Sequence, residues 1–315
     1  ITRAAIRRRL AALLGAADAI TPAVRAALRA RLDAAPFAAP APATGPAASR
    51  DDPPASFFAP WLGPRLKYSA ALWSEGAADL AAAEEAMLAL TCERARLADG
   101  QSILDLGCGW GAFALYAAAR FPAARVTAVT DSPAQATFLA AAAAAQGAPG
   151  IRVVQADVRA LVPAGRFDRV VAIESFEHVR NWRALLRRVG GWLEPDGRLF
   201  VQTIAARHAP STFEPDEPGA WLARRFLRCA VLPDDGLLAS FDEHLVEERR
   251  WIVGGLDYAR TVDAWLERLD RAGPRGRPHA RRWRLMLLVC AELFACDHGR
   301  AWRTVHSLSR PRTLR

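Results

Sequence analysis

Ile103-Leu104-Asp105-Leu106-Gly107-Cys108-Gly109-Trp110-Gly111 decides how the rest of the chain is read. Ser102–Leu106 is short, apolar apart from Asp105, and runs straight into glycine, which reads as a strand entering a tight turn. Ala112–Ala119 follows as a helix. Strand, glycine turn and helix make the first half of a βαβ unit, in which glycine lets the backbone turn sharply and approach a ligand closely. A dinucleotide fingerprint would read G-x-G-x-x-G and cradle a pyrophosphate. Here the third glycine comes one residue early and an acid stands two residues before the first. That pattern suits a ligand without a phosphate. S-adenosyl-L-methionine carries an ammonium and a sulfonium, and Asp105 is a fitting neighbour for such charges.

Downstream the alternation continues. Arg125–Thr130 reads as a strand, Pro133–Ala145 as a helix, Ile151–Gln155 and Phe167–Ile173 as strands, Trp182–Leu193 as a helix and Arg198–Thr203 as a strand. Such alternation predicts an α/β fold with a mostly parallel sheet, its ligand at the carboxyl ends of the strands. Upstream, residues 79–98 carry Leu80, Ala83, Met87, Leu90 and Ala95 at helical spacing. Residues 1–35 read as two helices, the second starting at Thr21-Pro22. Residues 36–55 are rich in Pro, Ala, Gly and Ser and read as a linker. We therefore divide the chain into an N-terminal helical segment with its linker, 1–55, and a catalytic domain, 56–315. Within the latter, about 207–245 breaks the rhythm with Pro210, Pro215, Pro218 and Pro233 and reads as an insertion covering the site. Residues 258–270 and 281–296 are helical again.

Two more acids stand at strand ends. Asp131 follows the second strand, where a carboxylate can accept both ribose hydroxyls, and Asp157 follows the third, where one can accept from an adenine amine. Either acid alone reads equally well as a helix cap. After the fourth strand comes Ile173-Glu174-Ser175-Phe176-Glu177-His178. Two carboxylates and an imidazole within five residues can bind a cationic amine and remove its proton, which an amine must lose before it attacks a methyl group. Crowded carboxylates also push one another's pKa upward. The order differs from H-E-x-x-H, so no metal is expected here. The bland alternative has Glu177 capping a helix and His178 bonded to a carbonyl.

Composition narrows the partners. The 315 residues are 52% hydrophobic, enough for a sizeable core, and carry a net charge of +9. Nearly all of the positive charge is arginine, for Lys67 is the only lysine. The arginines are scattered (Arg7 to Arg9, Arg187 and Arg188, Arg281 and Arg282) rather than gathered in a stripe with aromatics. No nucleic-acid partner is expected, and contact with a membrane surface is not favoured. Five cysteines, an odd number without C-x-x-C, suggest neither a disulfide framework nor a zinc site and fit a reducing, cytoplasmic setting. No apolar run reaches the length of a membrane span. The first 17 residues have arginines and no acid, a pattern shared by transit peptides and by amphipathic helices at the edge of a fold. A homodimer is left open.

Phe57 to about His306 resembles the coclaurine N-methyltransferase group within the wider cyclopropane fatty-acid synthase family. The stretches that carry this are LKYSAALW (66–73), EEAMLALTCERARLADGQSILDLGCGWG (84–111), VTAVTDSPAQ (126–135), the E-x-x-E-H cluster, GRLFVQ (197–202), DYARTVDAWLERLD (257–270) and AELF (291–294). The resemblance implies a Rossmann-like class I methyltransferase: a seven-stranded, mostly parallel sheet with helices on both faces. It implies S-adenosyl-L-methionine contacts at Tyr68, Ser69, Gly107, Gly109, Thr130, Asp131, Gln135, Asp157, Val158 and Ile173, with Glu174, Glu177 and His178 handling substrate amine and proton. Three departures stand out. The family's His after the strand Leu199–Val201 is Gln202 here, which argues against cyclopropanation. The second strand ends in Asp131 rather than Asn or Leu. The Phe-Phe-Thr-Gly-Gly stretch of the cap reads Phe226-Leu227-Arg228-Cys229-Ala230.

The expected function is thus N-methylation of a small-molecule amine, with Trp221, Phe226, Tyr258 and Trp265 as candidate aromatic contacts to a cation. The alternatives are lipid methylation of the cyclopropane-fatty-acyl-phospholipid synthase kind, and a drifted, non-catalytic relative that keeps the cofactor.

Overall fold

The computed structural model describes residues 2–15, 21–37, 53–73, 76–207, 211–212, 231–273 and 280–312. In chain order the helices are α1 (Arg3–Gly15), α2 (Pro22–Ala34), α3 (Ala55–Phe58), α4 (Leu80–Arg94), α5 (Ala112–Arg120), α6 (Pro133–Ala145), α7 (Trp182–Trp192), α8 (Gly255–Arg271) and α9 (Ala280–Gly299). The strands are β1 (Ser102–Leu106), β2 (Arg125–Thr130), β3 (Ile151–Gln155), β4 (Phe167–Ile173), β5 (Leu193–Ala206), β6 (Ser211–Thr212), β7 (Val231–Leu232), β8 (Leu245–Val253) and β9 (Trp302–Pro311).

Seven strands form one sheet in the order β3-β2-β1-β4-β5-β9-β8. The first five are parallel, and β9 and β8 join antiparallel. The order reverses at β1 and β4, which opens a crevice at their carboxyl ends. Helices cover both faces. Leu104 of β1 packs with α2 and α7, while its neighbour Ile103 packs with α4, α5 and α6, because successive strand residues point to opposite faces. A strand buried on both sides must be apolar at consecutive positions, which is why β1 and β4 read as continuous runs. Side-chain caps start α2, α4, α6 and α7. Asp79 accepts from Ala82 N at 2.9 Å, and Asn181 accepts from Ala184 N at 2.9 Å, each contributing roughly 1 kcal/mol.

The strand expected at Arg198–Thr203 is the middle of the longer β5, and the sequence reading missed β8 and β9. Linker residues 38–52 and cap residues 208–210 and 213–230 lie outside the described residues, among them Trp221 and the Phe226–Ala230 stretch.

A third body of core lies beyond the crevice. It joins Phe57, Phe58, Trp61, Tyr258, Trp265 and Phe294 from α3, α8, α9 and the chain between α3 and α4. Helix α8 buries Tyr258, Val262, Trp265, Leu266 and Leu269, a single stripe at helical spacing. Its first residue has to be glycine, since a Cβ at Gly255 would lie 2.0 Å from the carbonyl oxygen of Trp302. The first two helices clasp this frame from opposite sides. Helix α1 reaches α9 through Arg3, whose guanidinium donates to Glu292 at 2.8 Å. Helix α2 lies on α7, where Arg183 donates to Asp33 at 2.7 Å.

Candidate active site

A cavity of about 700 Å³ opens at the carboxyl ends of β1, β2 and β4. Tyr68, Ser69, Asp105, Gly107, Gly109, Thr130, Asp131, Gln135, Asp157, Val158, Ile173, Glu174 and His178 line it. These are residues from five separate stretches of sequence, brought together by the strand order. Glu177 is not on the wall.

The glycine loop is held from both sides. Gly107 and Cys108 donate their N–H groups to the carbonyl of Val129, and Ser175 donates to the carbonyl of Leu106 at 2.7 Å. Gly107 has φ +84, and a Cβ there would sit 2.6 Å from Cβ of Ser175. Conformation and space both exclude a side chain. Behind the loop, Asp105 is 1% exposed. Burial pushes its carboxyl up to about 7, and Oδ2 has no hydrogen-bond partner. A buried, unpartnered carboxylate oxygen in the wall is costly unless a donor or cation meets it. The site therefore fits S-adenosyl-L-methionine, which brings an ammonium and needs no phosphate cradle.

At the β2 end, the Thr130 hydroxyl donates to Gln135 Oε1 at 2.7 Å, and Ser132 caps α6. Asp131 is on the wall beside them. Asp157 is held by Arg159, which donates from Nε at 2.9 Å and from Nη2 at 2.6 Å. The sequence reading had not assigned this arginine, which also lines the cavity.

The E-x-x-E-H cluster divides. Glu174, whose backbone is left-handed at φ +49, sends its carboxylate to three donors. Oε1 accepts from Ala70 N at 3.0 Å and from Gln202 Nε2 at 2.9 Å, and Oε2 accepts from the Tyr258 hydroxyl at 2.6 Å. A non-glycine residue in that conformation is strained, and the three bonds over-determine it. Glu177 turns the other way and is buried against β5. Its Oε1 accepts from the Thr203 hydroxyl at 2.6 Å and from Ile204 N at 2.8 Å. Burial pushes its carboxyl up to about 7, and Oε2 is unpartnered. His178 is exposed on the cavity wall.

Gln202 and Tyr258 bond Glu174 from β5 and α8, partners no local motif could show. Tyr258 is stacked on Phe294 at 4.0 Å, and Trp265 packs 5.4 Å from Tyr68. Trp283 joins that aromatic group 5.8 Å from Tyr68 and lines the cavity. Among the described residues no three His, Cys, Asp or Glu side chains are placed to hold a metal ion, and no helix is long and apolar enough to cross a membrane.

A family profile described as mycolic acid cyclopropane synthetase matches residues 47–303. The chain is similar to the (S)-coclaurine N-methyltransferase of Thalictrum flavum subsp. glaucum, 31% identical over 272 residues that cover 81% of this chain and 75% of that one. It is also 31% identical over 258 residues to the cyclopropane-fatty-acyl-phospholipid synthase of Escherichia coli strain K12, covering 79% and 64%. Among solved structures, coclaurine N-methyltransferase bound to N-methylheliamine and S-adenosylhomocysteine superposes with a TM-score of 0.89 at 30% identity, covering 98% of this chain and 94% of that one.

Proposed function

The chain belongs to the mycolic acid cyclopropane synthetase family, and from that premise we propose that it transfers a methyl group to the nitrogen of a small-molecule amine. It is an S-adenosyl-L-methionine-dependent methyltransferase with the Rossmann-like fold of its relatives. What supports the amine is the fixed carboxylate of Glu174 on the cavity wall, with His178 four positions further on. Of the two relatives at 31% identity, the one matched over the larger share of both chains is a coclaurine N-methyltransferase by name.

Cofactor binding falls to Asp105 and the loop Gly107–Gly109 at the methionine end and to Asp131, Gln135, Asp157 and Val158 at the nucleoside end. When bound, the cofactor supplies an electrophilic methyl group. The protein has to deliver the acceptor nitrogen with a free lone pair in line with that methyl. Glu174 attracts the acceptor's ammonium and orients it. His178 takes the proton and passes it to solvent, to which its ring is open. Glu177 ties the His178 turn to β5 through Thr203 and Ile204. Tyr68 and Trp283 supply aromatic faces that a cation favours over water. The four described thiols, Cys92, Cys108, Cys290 and Cys296, are free, and we place the protein in the cytoplasm on that cysteine usage.

The test is incubation of the full chain with S-adenosyl-L-methionine and a library of primary and secondary amines, followed by mass spectrometry. Gain of one methyl mass on an amine, lost in His178→Ala, is the expected result. No methylated amine, with a gain of one carbon on an unsaturated phospholipid instead, would replace this proposal by lipid modification.

A further inference from the structure

Of the 42 basic side chains in the sequence, one is a lysine. That lysine, Lys67, is 2% exposed and stands beside the cavity. Its ammonium donates to Ser69 Oγ at 2.6 Å and to the carbonyl of Ala70. An ammonium has donors only, so Ser69 Oγ is the acceptor in the first bond and the hydroxyl hydrogen must point elsewhere. No described residue takes that hydrogen, and Ser69 is on the cavity wall. Its hydroxyl therefore meets a ligand as a donor.

The turn is fixed at its other atoms too. The N–H of Ala70 donates to Glu174 Oε1 at 3.0 Å. Upstream, the buried carboxylate of Glu84 on α4 accepts from Arg65 N at 3.1 Å. An ammonium is a compact point charge with rotatable donors and a guanidinium a planar fork, so the two are not interchangeable at a buried turn of this kind. A compact cation does the work in a chain that otherwise uses arginine.

A buried cation with a donor hydroxyl in front of it selects an anionic oxygen. The cofactor has one anion, the carboxylate of its methionine moiety. We propose that Lys67 is a positioning residue that fixes Ser69 as the hydrogen-bond donor to that carboxylate. The inference depends on the cofactor and is independent of which acceptor is methylated.

The test is calorimetric binding to the full chain of two probes, S-adenosylhomocysteine and its decarboxylated analogue, which keeps the amine. Wild type is compared with Lys67→Met, Ser69→Ala and the double variant. Each single substitution is expected to weaken S-adenosylhomocysteine about tenfold, the share of one charge-assisted hydrogen bond, and to leave the decarboxylated probe within about twofold. The double variant is expected to bind no more weakly than Lys67→Met. Equal losses for both probes would make Lys67 a purely structural residue and overturn the proposal. A second full loss in the double variant would do the same, because Lys67 would then act without Ser69. Should Lys67→Met fail to fold, Ser69→Ala decides alone, and an unselective effect there refutes the assignment.

Discussion

Tyr258 donates its hydroxyl hydrogen to Glu174 Oε2 at 2.6 Å, across 84 positions of sequence and from a helix to the end of a strand. The ring that makes this bond is buried and stacked on Phe294, so the donor is held rigidly. Tyr258→Phe keeps the stack and removes the donor. It is expected to lower kcat/KM for the methylated amine about tenfold, the scale of one hydrogen bond to a charged group, and to leave cofactor affinity unchanged. Steady-state kinetics with calorimetry check both. An unaltered kcat/KM would reduce Tyr258 to packing.

Asp105 links cofactor binding to pH. Burial raises its carboxyl to about 7, whereas an unfolded Asp titrates near 3.9. The folded protein therefore holds an extra proton across that interval. The associated stability is full below the unfolded value and disappears as pH rises through about 7. A cationic ligand against Oδ2 favours the charged form and expels the proton. Binding of S-adenosyl-L-methionine at pH 6.5 should thus release a proton, visible as heats that vary with the ionisation enthalpy of the buffer. Asp105→Asn should remove the variation and weaken binding at least about tenfold. Buffer-independent heats in wild type would take Asp105 out of contact with the ligand.

Glu177 and His178 are neighbours with different surroundings, and the difference predicts different variants. His178 is on the cavity wall, and His178→Ala is expected to lower kcat about a hundredfold, a usual share for a general base. Glu177 is off the wall, and Glu177→Gln should cost about threefold or less, since the amide oxygen can still accept from Thr203 and Ile204. Its signature is thermal. Glu177 is raised to about 7 by burial, so its stabilising share is lost as pH rises through that value. The decline of melting temperature between pH 5.5 and 8.5 should be shallower in Glu177→Gln than in wild type. A loss of kcat equal to that of His178→Ala would put Glu177 back among the groups that touch substrate.

Local pattern revealed the parallel half of the molecule and left the antiparallel half hidden. Strands β1, β2 and β4 carry buried runs because both faces are covered, and β3, half-buried at the sheet's edge, is found by its place in the alternation. Strand β9 is as deeply placed, yet it buries Thr304, His306, Ser307 and Ser309, polar residues whose run looks like a loop. Strand β8 carries Glu247, Glu248, Arg249 and Arg250 on the sheet's edge, where charge blunts association and erases the strand signal. At the site, Asp105, Asp131, Asp157, Glu174 and His178 were legible from their places at strand ends, whereas Tyr68 and Ser69, in coil before the first strand, came from the family resemblance alone. Gln202, Arg159 and Lys67 were not assigned, since their partners are set by tertiary contacts or by side-chain direction. One cue to Lys67 was available: a single lysine among 42 basic residues implies a place where arginine does not fit.

Glu292 predicts how far the N-terminal helix supports the rest. Its carboxylate is buried on α9 and accepts from Arg3 at 2.8 Å and from Arg7 at 3.3 Å. Burial alone would raise its pKa, but the hydrogen bonds from Arg7 and Arg3 outweigh that and hold the carboxyl below its usual range. A depressed carboxyl stabilises the fold above its unfolded pKa, and the contribution is lost as pH falls through the folded value. The arginine side chains are 39% and 65% exposed, so solvent screens the pairs and a large buried-ion effect is not expected. Glu292→Gln should lower the melting temperature at pH 7 by about 2–4 °C, and the difference should shrink at an acid pH below the folded value, where both side chains are neutral. Arg3→Ala with Arg7→Ala should cost more than Glu292→Gln, because it strands a buried carboxylate without its donors. Scanning calorimetry at the two pH values separates these cases. If the three proteins melt together at pH 7, α1 rests on the frame without supporting it, and the clasp between α1 and α9 contributes nothing to stability.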